Sequence, residues 1–167
     1  MTRLAGMLGA ALALFGLWLL PQQLPLGQPE QAAQIAFFSY SSRGSSSYEI
    51  YTYEAERTAD GSVQVRYDLH CGWEQYTLQA QEELLVQLEE IAERHGLIGW
   101  NGFSGSNPFM QDGYGFSLEI RLADGTEISA HGDNAFPGGY YEAKGEIDEL
   151  FMGLLRQSGL APEDIFY

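Results

Sequence analysis

Three histidines, one cysteine and a scatter of carboxylates are the groups of this chain able to do chemistry. A metal centre needs three or more converging ligands, and a hydrolase needs a nucleophile beside a base. His131-Gly132-Asp133 offers two such groups, with Asp112 or His70 as a distant third. A small hydrolase or metal-dependent enzyme using His131, Asp133 and Asp112 is therefore the catalytic reading. Turn chemistry competes with it: Asp133 or Asn134 orders a loop by capping, and His131 falls on the wet face of a strand. No two histidines have metal-ligand spacing. Gly102-Phe103-Ser104-Gly105-Ser106 fails the nucleophile-elbow pattern at its last position. Gly113-Tyr114-Gly115 lacks the third glycine and the helix start of a dinucleotide site. Cys71 stands alone, which excludes an intramolecular disulfide and a multi-cysteine zinc site. It reads as a semi-buried structural thiol, with a catalytic thiol beside His70 as the alternative. No cofactor and no resident metal are expected, and a non-enzymatic role is favoured.

A surface is the better reading. Trp100, Phe103 and Tyr114 fall in or beside loop 97–113, with Phe109. Phe136, Tyr140 and Tyr141 fall in loop 131–141. Trp100, Phe103, Tyr114, Phe136 and Tyr140, together with Asp112, His131, Asp133 and Asn134, form the candidate binding set. Exposed aromatic rings rimmed by glycine and asparagine suit an envelope protein, a peptide or a glycan. The competing reading makes the same rings close the ends of a small core. Exposure discriminates: the binding reading expects Trp100 and Phe136 to be substantially exposed.

Charge narrows the partners. The 167 residues carry 8 basic and 23 acidic side chains, a formal charge of −15. Phosphate recognition needs a basic surface, so nucleic acid is excluded, as is docking on anionic head groups. Any membrane contact is expected through the N-terminus alone. There Arg3 precedes a charge-free run over residues 4–20, ending at Pro21. This is a signal peptide or an N-terminal membrane anchor, and the rest is expected outside the cytoplasm. Residues 21–34, rich in proline and glutamine, read as an extended linker. A single globular domain, expected to be monomeric, follows over 35–167; its 13% aromatic content supplies a packed core.

Period-two alternation positions the candidate residues. Tyr114, Phe116, Leu118, Ile120 and Leu122 share one face, as do Ile128 and Ala130 beyond the turn. A three-residue loop, Ala123-Asp124-Gly125, pairs Ile120 with Ile128 and Leu118 with Ala130. A one-residue slip would set apolar side chains against polar ones. This register needs Gly125 at positive φ. The same argument on Ala59-Asp60-Gly61 pairs Ala55 with Val65 and Tyr53 with Tyr67. A first strand is expected over 35–41, and helices over 78–95 and about 140–157. Their apolar stripes are Leu84, Leu85, Leu88, Ile91 and Ala92, then Ile147, Leu150, Phe151, Leu154 and Leu155. Thr77 is the expected cap of the first helix and Gly96 its stop. The fold class is α+β: a two-layer sandwich, an antiparallel sheet of about five strands with two helices on one face, in the order β-ββ-α-ββ-α. Arg57-Thr-Ala-Asp-Gly-Ser and Arg121-Leu-Ala-Asp-Gly-Thr recur 64 residues apart. Duplication and shared turn chemistry both explain this.

Taken together, Leu97-Ile-Gly-Trp100-Asn-Gly-Phe103, Asp112-Gly113 with Phe116-Ser-Leu118, Asp124-Gly125 and Gly132-Asp-Asn134-Ala-Phe136-Pro137 resemble uncharacterised secreted or membrane-anchored proteins of Gram-positive anaerobic bacteria. The resemblance covers roughly residues 84–155 and implies an extracytoplasmic domain. It brings no activity, cofactor or catalytic residue. The chain departs from the lipid-anchored members in lacking their lipidated cysteine.

Overall fold

The computed structural model describes residues 34–107, 109 and 113–160. The N-terminal segment, the linker up to residue 33 and Asp112 lie outside the described residues. Strands β1 (Ile35–Arg43), β2 (Tyr51–Arg57), β3 (Val63–Leu69) and β4 (Glu74–Ala80) precede helix α1 (Glu83–His95). Strands β5 (Ser104–Ser106), β6 (Gly115–Leu122) and β7 (Glu127–Asp133) follow, and helix α2 (Tyr140–Gln157) comes last. Among the described residues no helix is long and apolar enough to cross a membrane.

The seven strands form one sheet in the order β4-β3-β2-β1-β6-β7-β5. Every pair is antiparallel except β5 with β7, so the sheet is mixed. This corrects the expected antiparallel sheet of about five strands and its order β-ββ-α-ββ-α. Two strands escape periodicity, for different reasons. In β4 the sequence EQYTLQA puts only Tyr76, Leu78 and Ala80 against the core, and its apolar signal runs into the helix that follows. Pairing of Tyr76 with Tyr67 and Leu78 with Val65 holds it extended. Helix α1 therefore begins at Glu83, and Thr77 sits in a strand rather than at a cap. Strand β5 has no large apolar side chain, so only its backbone pairing with β7 defines it.

The hairpin registers follow the face-matching argument. Ile120 opposes Ile128 and Leu118 opposes Ala130; Ala55 opposes Val65 and Tyr53 opposes Tyr67. Both turns close alike, with Thr58 N–H donating to Ser62 O at 2.8 Å and Leu122 N–H to Thr126 O at 2.9 Å. Gly61 and Gly125 take φ of 86° and 88°, a region closed to most side chains. The two hairpins flank β1, one on each side. Val63 and Val65 are nevertheless buried where Glu127 and Ser129 are exposed. The common turn thus serves opposite faces.

A register shift between Ile35 and Phe37 splits the faces of β1. Ile35, Phe38 and Tyr40 turn toward the helices, while Phe37 lies on the other face beneath the Arg121 guanidinium, 4.3 Å from its ring centroid. Helices α1 and α2 pack beside each other over one common core. Phe151 of α2 stacks on Tyr53 at 4.8 Å and meets the edge of Tyr67 at 5.9 Å. Burying a ring of this size contributes about 1.5–3 kcal/mol. Gly96, at φ 65°, ends α1 by donating its amide to Ala92 O and Glu93 O. The Ile35 amide donates to Glu89 Oε1 at 2.7 Å, joining α1 to the central strand. The opposite sheet face is polar, with Arg66 Nε donating to Glu54 Oε2 at 2.7 Å.

Candidate functional site

Tyrosines on the helix-facing side of neighbouring strands reach across to α2. Tyr40 (β1) shares a hydrogen bond with the Tyr140 hydroxyl at 2.8 Å, Tyr51 (β2) donates to Asp148 Oδ1 at 2.7 Å, and Tyr67 (β3) donates to Phe151 O at 2.8 Å. Alternation along β1 to β3 places these rings under the helix, and α2 supplies the polar partner that each buried phenol tip needs. Burial is the chief cause that raises the Tyr40, Tyr51, Tyr53 and Tyr67 pKa values, and it pushes Tyr140 up to about 12. These phenols are neutral groups, not proton carriers near neutral pH.

Beyond this row, at the N-terminal end of α2, a cleft of about 760 Å³ opens. Tyr51, Tyr140 and the buried Ser42 form its floor; Tyr48, Tyr114, Phe136 and Tyr141 supply aromatic walls, with Glu49 and Lys144 at the margin. Volume and lining match a small-ligand or side-chain site: mostly apolar with a few placed polar groups. Phe136 stacks on Tyr140 at 4.4 Å, and Tyr141 meets Phe136 at 5.5 Å. Gly139, at φ 74°, turns the chain so that Tyr140 enters the core while Tyr141 stays out.

Glu49 is fixed from several directions. The amide and hydroxyl of Ser46 both donate to its Oε2 at 3.0 Å, and Ser45 Oγ does so at 3.3 Å. A Cβ on Gly44 would fall 2.3 Å from Glu49 Cβ, so this packing requires glycine there. The Tyr114 hydroxyl, followed by the Ser46 amide, holds the Glu49 carboxyl below its ordinary value, and the same contact raises Tyr114. Lys144 Nζ donates to Asp148 Oδ2 at 2.6 Å and lies 5.4 Å from the Tyr51 ring centroid.

The sequence-derived candidates divide into three groups. Tyr114, Phe136 and Tyr140 line the cleft. Asn134 positions Tyr114: its Oδ1 accepts the Tyr114 amide at 2.9 Å, and its own amide donates to Tyr114 O at 2.8 Å. Trp100 and Phe103 lie beneath the site. Trp100 is only 7% exposed, because the 3-10 turn Leu97–Trp100 folds its indole against Phe116 and Tyr140. This corrects the expectation of an exposed Trp100. Phe136, expected to be well exposed, is half-buried, and Phe103 packs on Phe116.

His131 and Asp133 form the third group, exposed on β7 outside the cleft. His131 Nε2 meets Ser104 Oγ at 2.9 Å, brought there by the parallel pairing of β5 with β7. Asp133 Oδ1 instead accepts Arg43 Nη2 at 2.6 Å, in space left open by Gly115. A serine–imidazole contact therefore exists, but the nearby carboxylate is bound to an arginine rather than orienting the ring. Among the described residues no group of three His, Cys, Asp or Glu side chains could hold a metal ion. Cys71 is exposed, not semi-buried, with φ 62° in the tight turn His70–Gly72.

Sequence reasoning missed Ser42, Tyr48, Glu49, Tyr51 and Lys144. They come from β1, the turn after it, β2 and α2, and no local pattern marks them as neighbours. The exposed Tyr48 within a serine-rich turn was the one available signal. No protein-family model matches the chain, and no curated protein matches it.

Proposed function

We propose that this domain is a non-catalytic binding module of the cell envelope, acting outside the cytoplasmic membrane, and that the tyrosine-lined cleft is its ligand site. One observation carries the reading. Tyr48, Tyr114 and Tyr141 are 61%, 48% and 68% exposed around one cleft whose floor is held by hydrogen bonds to α2. Clustered exposed rings on a pre-formed floor suit a ligand better than they suit water. An envelope protein, a peptide or a glycan is the class of partner. The placement outside the cytoplasm rests on Arg3 and the charge-free run over residues 4–20. The alternative, a small hydrolase or metal-dependent enzyme using the His131/Asp133 loop, has less support because both side chains face solvent with partners other than each other.

An aromatic photo-crosslinking residue, which keeps a ring in the cleft wall, replacing Tyr141 in the producing cell tests the reading. An adduct formed at position 141 and absent from a control at Ile98, exposed elsewhere, is the expected result. No adduct above that control would overturn it.

A further inference from the structure

The cleft contains a fixed negative charge among aromatic faces, and that combination selects its occupant. Glu49 is anchored by Ser45, Ser46 and Tyr114, all of them neutral donors. Among the described residues, the one cationic group lining the cleft, Lys144, is already paired with Asp148. Taken together, Glu49, Lys144 and Asp148 leave the site anionic, within a chain of formal charge −15. An anionic ligand would meet repulsion on approach, while a cation is drawn in by the whole molecule. The rings add a local preference, since an ammonium or guanidinium over a tyrosine face is attracted by the ring quadrupole. Lys144, seated 5.4 Å from the Tyr51 centroid, is an example of this contact inside the cleft itself.

We propose that the cleft takes a cationic side chain, lysine or arginine, presented by an extended basic peptide segment. Its alkyl stem packs along Tyr48, Tyr114 and Tyr141, and its head group meets Glu49. The inference rests on the binding-module reading and adds the chemistry of the partner. A free organic ammonium would share that chemistry, so the probe peptide carries its cation on a backbone.

The test uses the full chain and two capped five-residue peptides: glycine throughout, with a single central arginine in one and citrulline in the other. Citrulline keeps the shape and removes the charge. Ligand-observed NMR should show the arginine peptide binding about tenfold more tightly. Glu49→Gln should weaken that preference several-fold, and Tyr141→Ala, with its unfolding midpoint unchanged, should remove binding. Tyr48→Ala supplies a second ring variant. Equal binding of both peptides overturns the cationic occupant, and a preference undiminished by Glu49→Gln overturns the contact of its head group with Glu49. If Tyr141→Ala still abolishes that equal binding, the cleft stands as a ligand site with a neutral partner. If neither peptide binds, the cationic occupant fails, and the crosslinking result at position 141 decides the binding reading separately.

Discussion

The Tyr51 hydroxyl donates to Asp148 Oδ1 at 2.7 Å, joining β2 to the middle of α2 across 97 positions of sequence. Lys144 occupies the other oxygen of the same carboxylate at 2.6 Å. One acidic side chain thus fixes both the cleft floor and the lysine at its margin. The cleft floor is consequently a pre-formed feature of the packed core.

Tyr51→Phe keeps the ring and removes the donor. Asp148 would retain Lys144, so the expected loss is about 1.5 kcal/mol, typical of a hydrogen bond to a charged acceptor. The urea midpoint should fall with an unchanged denaturant slope. An unchanged midpoint would show that the bond contributes nothing to stability.

Two glycine substitutions should move stability in opposite directions. Gly125 has φ 88°, and a Cβ there would meet no atom within 4 Å. Gly125→Ala should therefore cost about 1–2 kcal/mol through backbone strain alone. Gly145 lies inside α2, exposed, with equally open space. Gly145→Ala should raise stability by about 1 kcal/mol through helix propensity. Thermal unfolding of both variants checks the pair; shifts of the same sign would contradict the backbone argument.

Alkaline pH should unfold the domain cooperatively. Folding raises the Tyr40, Tyr51, Tyr53 and Tyr67 phenols above the ordinary value of 10.0, chiefly by burial, and Tyr140 to about 12. Above pH 10 the unfolded chain releases phenol protons that the native state keeps, so stability falls as pH rises. Below pH 10 this contribution is fully present. Circular dichroism and phenolate absorbance should therefore change together for the buried set. Gradual ionisation of all tyrosines near pH 10 with native dichroism intact would refute their burial.

Trp100 and Tyr141 separate structure from binding. Trp100 is buried against Phe116 and Tyr140, so Trp100→Ala should cost about 3–5 kcal/mol. Tyr141 is exposed at the cleft, and its removal should leave the unfolding midpoint within about 0.5 kcal/mol while weakening ligand capture. Comparing chemical denaturation with crosslinking yield from a photo-reactive residue at position 48, for each variant, checks this division. A Trp100→Ala protein as stable as the parent would place the indole outside the core.

Local chemistry made part of this protein legible. Alternation along β6 and β7, together with a turn glycine able to take positive φ, determined which residues face each other across both hairpins. The stripe Leu84, Leu85, Leu88, Ile91 and Ala92 likewise marked the buried side of α1. These patterns act between near neighbours, where period and turn length leave one register that keeps apolar side chains together. Strands β4 and β5 were not legible, because backbone pairing with β3 and β7 defines them and carries little side-chain signal. The burial of Trp100 and the assembly of the cleft were also decided only in three dimensions. Glu49, Tyr51, Tyr114, Tyr141 and Lys144 become neighbours because β2 and β6 flank β1 on opposite sides, and α2 returns across all three. Long-range packing of this kind depends on which surfaces meet, and no periodicity within a short stretch encodes that.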